Sequence, residues 1–114
     1  MILEDDVDMM SLLKSMFVSD GFTVSCASSF PEARGLLRFA SFDAVLLDLQ
    51  INKDQSSELF PEIMERNPLT KIIIMTAHGS IDKAVNCLRK GASTFICKSH
   101  DPNALVQEVK DHLL

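Results

Sequence analysis

Aromatic side chains that stack on flat ligands are scarce in this chain of 114 residues, which contains no tryptophan and no tyrosine. The sequence therefore offers no evident platform for a nucleotide base or a flavin ring. The net charge is -5 and no basic cluster is present, so this segment is not expected to bind nucleic acid directly. Apolar runs reach only four residues, far short of the roughly 20 that a membrane-spanning helix needs. Acidic residues follow Leu3 at once, which is unlike a signal peptide.

Cysteine is also sparse, with three residues whose spacing matches no metal-binding pattern. Cys26, Cys87 and Cys97 are best interpreted as thiols of a protein in the reducing cytoplasm. What the chain does have is apolar content: 46% of its residues are hydrophobic, enough to bury the core of one domain. The first apolar run is unusually short, so residues 1–114 are expected to be one domain excised from a longer protein.

Short apolar runs alternate with amphipathic helical patterns five times along the chain. The runs are "MIL", "FTVSC", "DAVLLD", "KIIIM" and "TFIC". The third and fourth runs are apolar at almost every position, as expected of central parallel strands that are covered on both faces. Five strand-helix units with short loops predict an α/β fold with a doubly wound parallel sheet, in the flavodoxin-like strand order 2-1-3-4-5.

Local signals place the helix ends and their buried faces. Asp6 is expected to cap the first helix, and Ser29 with Glu32 forms a capping-box pattern for the second. Gly21 and Gly91 are expected to end the first and fourth helices. The apolar stripes of those two helices are Met9, Leu12, Leu13, Met16 and Phe17 in one and Ile81, Ala84, Val85 and Leu88 in the other.

Polar residues follow four of the five predicted strands, at the point where each strand ends. They are the pair Glu4-Asp5, Asp48, Thr76 and Lys98. Singly, each has an ordinary interpretation, since a strand-end Asp often caps the next helix and a Thr or Lys often belongs to a turn. Together they predict one cleft, because parallel strands end at the same edge and ligands bind beside the switch point of such a sheet.

The chemistry of these groups suits a phosphorylated carboxylate beside a divalent cation. Carboxylate oxygens are ligands that Mg²⁺ accepts, and it leaves room for phosphate oxygens. An Asp carboxylate such as that of Asp48 can act as a nucleophile and form an acyl phosphate. The Lys98 ammonium would offset the repulsion among the acids, and the Thr76 hydroxyl could donate to a phosphoryl oxygen.

The whole chain resembles the receiver domain of two-component response regulators. The motifs that carry the resemblance are "LEDD", "LLDL", "MTAHG" and "GASTFICK", which match in order and spacing. The run "TAHGSIDKAVNCLRKGA" is most similar to receivers of nitrogen-regulator-type (NtrC-like) AAA+ transcription activators, and FixJ-like receivers share a similar run.

The resemblance implies a role for each site residue. Asp48 would accept a phosphoryl group from a sensor histidine kinase, and Thr76 and Lys98 would contact that group. Mg²⁺ would be held by Glu4, Asp5, Asp48 and the backbone carbonyl of Gln50. Phe95 would be the aromatic that moves with Thr76, although an ordinary core aromatic is equally compatible with the sequence. Gln50 and His78 lie two residues beyond Asp48 and Thr76 and are predicted from this position to tune the phosphate lifetime, although two solvent-facing loop groups are a nearly equal interpretation.

The resemblance also implies partners. The fourth helix, fifth strand and fifth helix would form a switched surface that makes a homodimer and controls an output domain outside this chain, AAA+ or DNA-binding. The domain would be a cytoplasmic signalling module, with no activity beyond phosphorylation from small donors and autodephosphorylation.

The chain departs from the family pattern in three places. Ile51-Asn52 replaces Met-Pro, Ser56 replaces Gly, and Ser99 replaces the Pro that follows Lys98. None removes a charge, so we expect phosphorylation with altered kinetics or loop shape. A cis bond before a non-proline residue costs about 2.5–4 kcal/mol, so the peptide between Lys98 and Ser99 is predicted to be trans.

Three other functions are conceivable for a strand-end Asp on this fold. A haloacid-dehalogenase-like phosphatase needs a second Asp two positions beyond Asp48, where Gln50 stands, and is rejected. A flavin or nucleotide carrier needs a phosphate-cradling loop after the first strand, but Asp5, Asp6 and Asp8 make that loop acidic. A degenerate receiver that dimerises without phosphorylation stays open, because the departures fall in the loops around the cleft.

Overall fold

Five short strands form one parallel sheet at the centre of the molecule. The computed structural model describes residues 1–51, 54–77, 80–98 and 101–113, and of Gln50 and Asp54 the backbone only. The strands are β1 (Ile2–Leu3), β2 (Cys26–Ala27), β3 (Ala44–Asp48), β6 (Lys71–Thr76) and β7 (Thr94–Cys97). The labels β4 and β5 belong to a separate hairpin described below, so β6 and β7 are the fourth and fifth strands of this sheet. The strand order is β2-β1-β3-β6-β7 with all pairs parallel, so the predicted order 2-1-3-4-5 is confirmed.

Helices cover both faces of this sheet. One face carries α1 (Val7–Ser19) and α5 (Pro102–Leu113), and the other carries α2 (Phe30–Phe39), α3 (Phe60–Arg66) and α4 (Ile81–Arg89). In the described part of the chain, no helix has the length and apolar content that crossing a membrane requires.

The position of β6 between two helical layers explains why its sequence is apolar at successive positions. Ile72 and Ile74 pack into the cluster under α2, α3 and α4, whereas Ile73 and Met75 pack into the cluster under α1 and α5. Successive side chains of a strand point to opposite faces, so a strand covered on both sides must be apolar throughout. Each fully buried side chain of this size contributes about 1.5–3 kcal/mol.

The predicted helix ends are mostly confirmed. The Asp6 carboxylate accepts from the backbone of Asp8 and Met9, and Gly21 and Gly91 have φ of 93° and 121° after α1 and α4. A Cβ at position 91 would collide with the methyl group of Met64.

The capping box is only half formed. Ser29 Oγ accepts from Glu32 N at 3.3 Å, which is the first half of the predicted pattern. The Glu32 carboxylate accepts from the backbone and hydroxyl of Ser28, at 3.2 and 3.0 Å, instead of from the Ser29 backbone. The side chain therefore reaches one residue further back than the motif predicts.

One predicted strand boundary is wrong, and two predicted apolar stripes are only partly buried. The second strand begins at Cys26 and not at Phe22, because β1 offers only two residues for pairing. Leu12, Ile81 and Leu88 belong to the predicted apolar stripes, and they are 44%, 44% and 37% exposed. The apolar stripes of α1 and α4 are wider than the area that the sheet covers.

A small hairpin follows β3 and was not predicted. Its strands are β4 (Gln50–Ile51) and β5 (Asp54–Gln55), which pair antiparallel. A 3₁₀ turn over Ser56–Leu59 then leads into α3. The segment lacks the Gly and Pro residues that announce a tight hairpin in sequence, and two-residue strands are too short for a recognisable alternation.

Candidate functional site

Carboxylates from two neighbouring strands meet at the carboxyl edge of the sheet. Glu4 and Asp5 follow β1, Asp48 ends β3, and these strands flank the point where the chain order reverses. One oxygen from each of the three side chains lies within 4.8 Å of the others. The sheet topology thus brings together acids that are separated by more than forty residues in sequence.

Glu4 is the most buried member of this group, with 1% of its surface exposed. Its Oε1 accepts a hydrogen bond from the backbone N–H of Asp6 at 3.1 Å. Its Oε2 forms a salt bridge with Lys98 Nζ at 2.8 Å and receives no hydrogen bond within the described part of the chain. A buried carboxylate oxygen in this condition can still accept a further ligand.

Lys98 joins the two strand ends electrostatically. Its ammonium donates to Asp48 Oδ2 at 2.9 Å while facing Glu4, and its backbone N–H donates to the Thr76 carbonyl at 2.7 Å. The side chains of Lys98 and Asp48 are 22% and 15% exposed, so solvent screens these contacts only in part.

The protonation of these groups reflects burial and mutual contact. Burial raises the pKa of Glu4, with the nearby charge of Asp48 adding to the effect and Lys98 opposing it. Burial alone would lower the pKa of Lys98, but its contacts with the Glu4 and Asp48 carboxylates raise it overall. Lys98 is therefore a fixed cation at neutral pH.

The donor set fits a divalent cation of the Mg²⁺ kind. All three side-chain ligand atoms are carboxylate oxygens, Asp5 is exposed to solvent, and Glu4 Oε2 has no hydrogen-bond donor among the described residues. Mg²⁺ prefers such oxygen ligands together with water.

The two other acids near β1 belong to α1 and not to this cluster. Asp6 is the N-cap of α1, as the sequence predicts, and Asp8 lies in the first helical turn.

Thr76 is fully buried at the end of β6, and its hydroxyl does not join the acids. It donates to the carbonyl of Ala77 at 3.1 Å, with the carbonyl of Ser80 at 3.5 Å. Ser80 occupies the N-cap position of α4, so Thr76 is linked to the start of that helix. Phe95 on β7 is half-buried and packs against the cluster beneath α2, α3 and α4.

Some predicted features lie outside the described residues. These are His78, Asn52, Ser99 and hence the peptide between Lys98 and Ser99, together with the side chain of Gln50. The expectations for the phosphate lifetime and for the trans peptide stay predictions.

Comparison with known proteins decides the family. The sequence profile described as the response regulator receiver domain matches residues 1–110. The chain is a response regulator receiver domain. Receiver domains are the signalling domains of two-component systems, so the predicted family and its general function are confirmed.

Individual relatives agree with this assignment. The receiver is 34% identical over 113 residues to the transcriptional regulatory protein GlrR of Escherichia coli K12, covering 99% of this chain and 26% of the relative. It thus spans about a quarter of the curated relatives that it matches. NtrX from Brucella abortus superposes with a TM-score of 0.88 at 24% identity, covering 98% of this chain and 25% of NtrX. The predicted similarity to receivers of nitrogen-regulator-type activators is confirmed.

A structure that is itself little more than a receiver aligns over nearly its full length. It is the CheY-like receiver domain protein from Methanospirillum hungatei, with a TM-score of 0.86 and 25% identity, covering 98% of this chain and 90% of that one. Ser56 contacts the backbone of Asp48, a contact that no local pattern in the sequence predicts.

Proposed function

We propose that Asp48 is the phosphoacceptor of this receiver and takes its phosphoryl group from a sensor histidine kinase. The observation that carries the proposal is the position of Asp48, which ends a buried strand with Oδ2 held 2.9 Å from the Lys98 ammonium and with Glu4 and Asp5 beside it. Incubation with Mg²⁺ and a small acyl phosphate should raise the intact mass by one phosphoryl group. An unchanged mass would favour the degenerate receiver instead.

The transfer is a substitution at phosphorus. A carboxylate oxygen of Asp48 forms the new O–P bond, while the P–N bond to the donor histidine breaks and the imidazole nitrogen keeps the electron pair. Lys98 balances negative charge on the phosphoryl oxygens and keeps its proton, because its pKa is raised by the surrounding acids. The products are an acyl phosphate and a neutral imidazole, so the chain acts as a signalling domain and not as an enzyme on external substrates.

Mg²⁺ would be held by Glu4, Asp5, Asp48 and the carbonyl of Gln50, and its chemistry would be to neutralise phosphoryl oxygens. The hairpin supports the role of Gln50. Ser56 N donates to Leu49 O, and hydrogen-bonded pairs alternate along an antiparallel ladder. Gln50 and Gln55 then form a non-hydrogen-bonded pair, which leaves the Gln50 carbonyl free of its partner strand.

Replacing Asp5 by Asn should weaken Mg²⁺ binding by about ten-fold or more, because a charged oxygen ligand is lost. Affinity can be measured by following amide shifts in NMR spectra during a Mg²⁺ titration. Asp8→Asn is the matched control, since Asp8 is an exposed acid three residues away on α1. Equal affinity in the Asp5 variant and the wild type would rule out Asp5 as a ligand.

Phosphorylation is proposed to switch the receiver through Thr76. Its hydroxyl has one proton, which is now given to Ala77 O. Donation to a phosphoryl oxygen would release the β6-α4 connection and shift the start of α4. Phe95 lies beside Ile74, two residues before Thr76 on β6, and would respond to the new position of Thr76.

The output surface is proposed to comprise α4, β7 and α5. On α4, Ile81 and Leu88 are exposed and Val85 lies half-buried between them, so an apolar stripe faces outward. Charged residues surround the stripe: Asp82, Lys83, Arg89 and Lys90. A homodimer of phosphorylated receivers would bury this stripe and so control an output domain, transcriptional in kind as in GlrR, within a cytoplasmic regulator.

Replacing Leu88 by Glu should weaken the dimer of the phosphorylated receiver by about ten-fold or more, because the interface would lose apolar contact and gain an unpaired charge that must be desolvated. Sedimentation equilibrium measures the dissociation constant. Leu12→Glu is the control, because Leu12 has similar exposure but lies on α1. If the Leu12 variant loses the dimer and the Leu88 variant keeps it, the surface is assigned to the wrong helix.

A further inference from the structure

Ser56 is a buried polar residue that the proposed chemistry leaves unexplained. Its surface is 0% exposed, although it stands in the connection between the hairpin and α3. Its hydroxyl donates to the backbone carbonyl of Asp48, and its backbone N–H donates to the carbonyl of Leu49 at 3.1 Å. One residue therefore satisfies two successive carbonyls at the point where β3 ends.

These two bonds close the base of the hairpin. Leu49 is also fixed from the other side, because its N–H donates to the carbonyl of Met75 on β6 at 2.8 Å. The backbone from Asp48 to Leu49 is thus held between β6 and Ser56, and the hairpin begins at the next residue. Only the bond from the Ser56 hydroxyl depends on a side chain, so only that bond can be removed by a substitution that leaves the main chain intact.

We propose that Ser56 is a positioning residue for the phosphoacceptor and for the metal ligand that follows it. By holding the Asp48 carbonyl, the hydroxyl fixes the Asp48 peptide and so the direction of its carboxylate. By anchoring the start of β4, it also fixes the Gln50 carbonyl. The inference rests on the proposed function of Asp48 and extends it to a residue that touches neither the phosphoryl group nor Mg²⁺.

The hydrogen bond from the Ser56 hydroxyl to the Asp48 carbonyl orders this loop without a turn-forming glycine or proline. Glycine, which the family resemblance implies at this position, would leave the Asp48 carbonyl without this donor. A buried carbonyl that loses its partner must find another or move toward water. In this chain, the serine takes over part of the ordering of a loop that lacks the Met-Pro sequence after the acid.

The test compares Ser56→Ala and Ser56→Gly with Ser57→Ala, a neighbouring serine whose hydroxyl makes no hydrogen bond recorded among the described residues. Each chain is titrated with Mg²⁺ by NMR, and amide hydrogen exchange is measured at Leu49, Ile51 and Asp54. Both Ser56 variants should bind Mg²⁺ about ten-fold more weakly, as loss of a residue that orients a ligand usually causes. Exchange in the hairpin should accelerate, and Ser57→Ala should match the wild type.

The outcomes separate positioning from simple filling of space. If Ser56 only fills space, the amide hydrogens of Ser56→Ala should exchange slightly faster throughout the chain while its Mg²⁺ affinity stays that of the wild type. This result would overturn the inference. The Gly variant covers the case in which Ala does not fold. A wild-type chain that binds Mg²⁺ but takes up no phosphoryl group would refute the proposed function of Asp48 and leave the Ser56 result interpretable. A wild-type chain that does not bind Mg²⁺ would refute both.

Discussion

Asp48→Asn is expected to abolish phosphorylation completely. Asp48 is proposed to supply the attacking oxygen, and a neutral amide is too weak a nucleophile to replace a carboxylate. The side chain would still fit, because Asn has the same shape and Asp48 is partly exposed at the strand end. Intact mass after incubation with Mg²⁺ and an acyl phosphate should show one added phosphoryl group in the wild type and none in the variant.

The matched control is Asp43→Asn at the other end of β3. Asp43 is exposed and lies just before Ala44, where the strand begins, so its loss should leave phosphoryl uptake unchanged. A phosphorylated Asp48→Asn chain would show that another residue accepts the group. Loss of uptake in both variants would indicate damage to the strand and not to the chemistry.

Lys98→Met is expected to destabilise the fold by about 2–3 kcal/mol at neutral pH without Mg²⁺. Removing one partner of a buried ion pair usually costs about 3–5 kcal/mol, and the partial exposure of Lys98 reduces this. Glu4 would then be a buried carboxylate with no cation at 2.8 Å. Added Mg²⁺ should recover part of the loss, since a bound cation restores positive charge. The free energy of unfolding is measured by urea unfolding followed by circular dichroism, because the chain has no tryptophan whose fluorescence could be followed.

The effect of Lys98→Met should depend on pH. Burial raises the pKa of Glu4, so the folded state binds more protons than the unfolded state once pH exceeds the ordinary Glu value. Stability therefore falls as pH rises through that window, and more steeply when Lys98 no longer opposes the shift. We expect the two chains to differ least near pH 4 and most near pH 7. In the wild type, Lys98 has a raised pKa and its contribution is lost only above its ordinary value of 10.5.

Lys110→Met provides the comparison for this experiment. Lys110 also forms a salt bridge, with Asp20 at 3.0 Å, but its partner is 41% exposed. Exposed pairs contribute about 0–1 kcal/mol, so the Lys110 variant should lose little at any pH. Equal losses in the two variants would mean that burial of Glu4 does not govern the stability of the cleft.

Much of the fold could be predicted from local patterns. The run "KIIIM" is apolar at four successive positions, which only a strand covered on both faces requires, and β6 has that environment. The caps at Asp6 and the glycines at 21 and 91 were predicted because each depends on residues only a few positions apart. The hairpin after β3 escaped notice because its strands have two residues each.

The sequence by itself determined that Glu4, Asp5, Asp48 and Lys98 would share one edge, because parallel strands end on the same side. Only the tertiary structure decided how they contact each other. Burial of Glu4 at 1% exposure, the two-sided contact of Lys98, the direction of the Thr76 hydroxyl and the bond from Ser56 to Asp48 all depend on distances between segments far apart in sequence. Local periodicity indicates which residues face a core, but the pairing of side chains depends on packing in three dimensions.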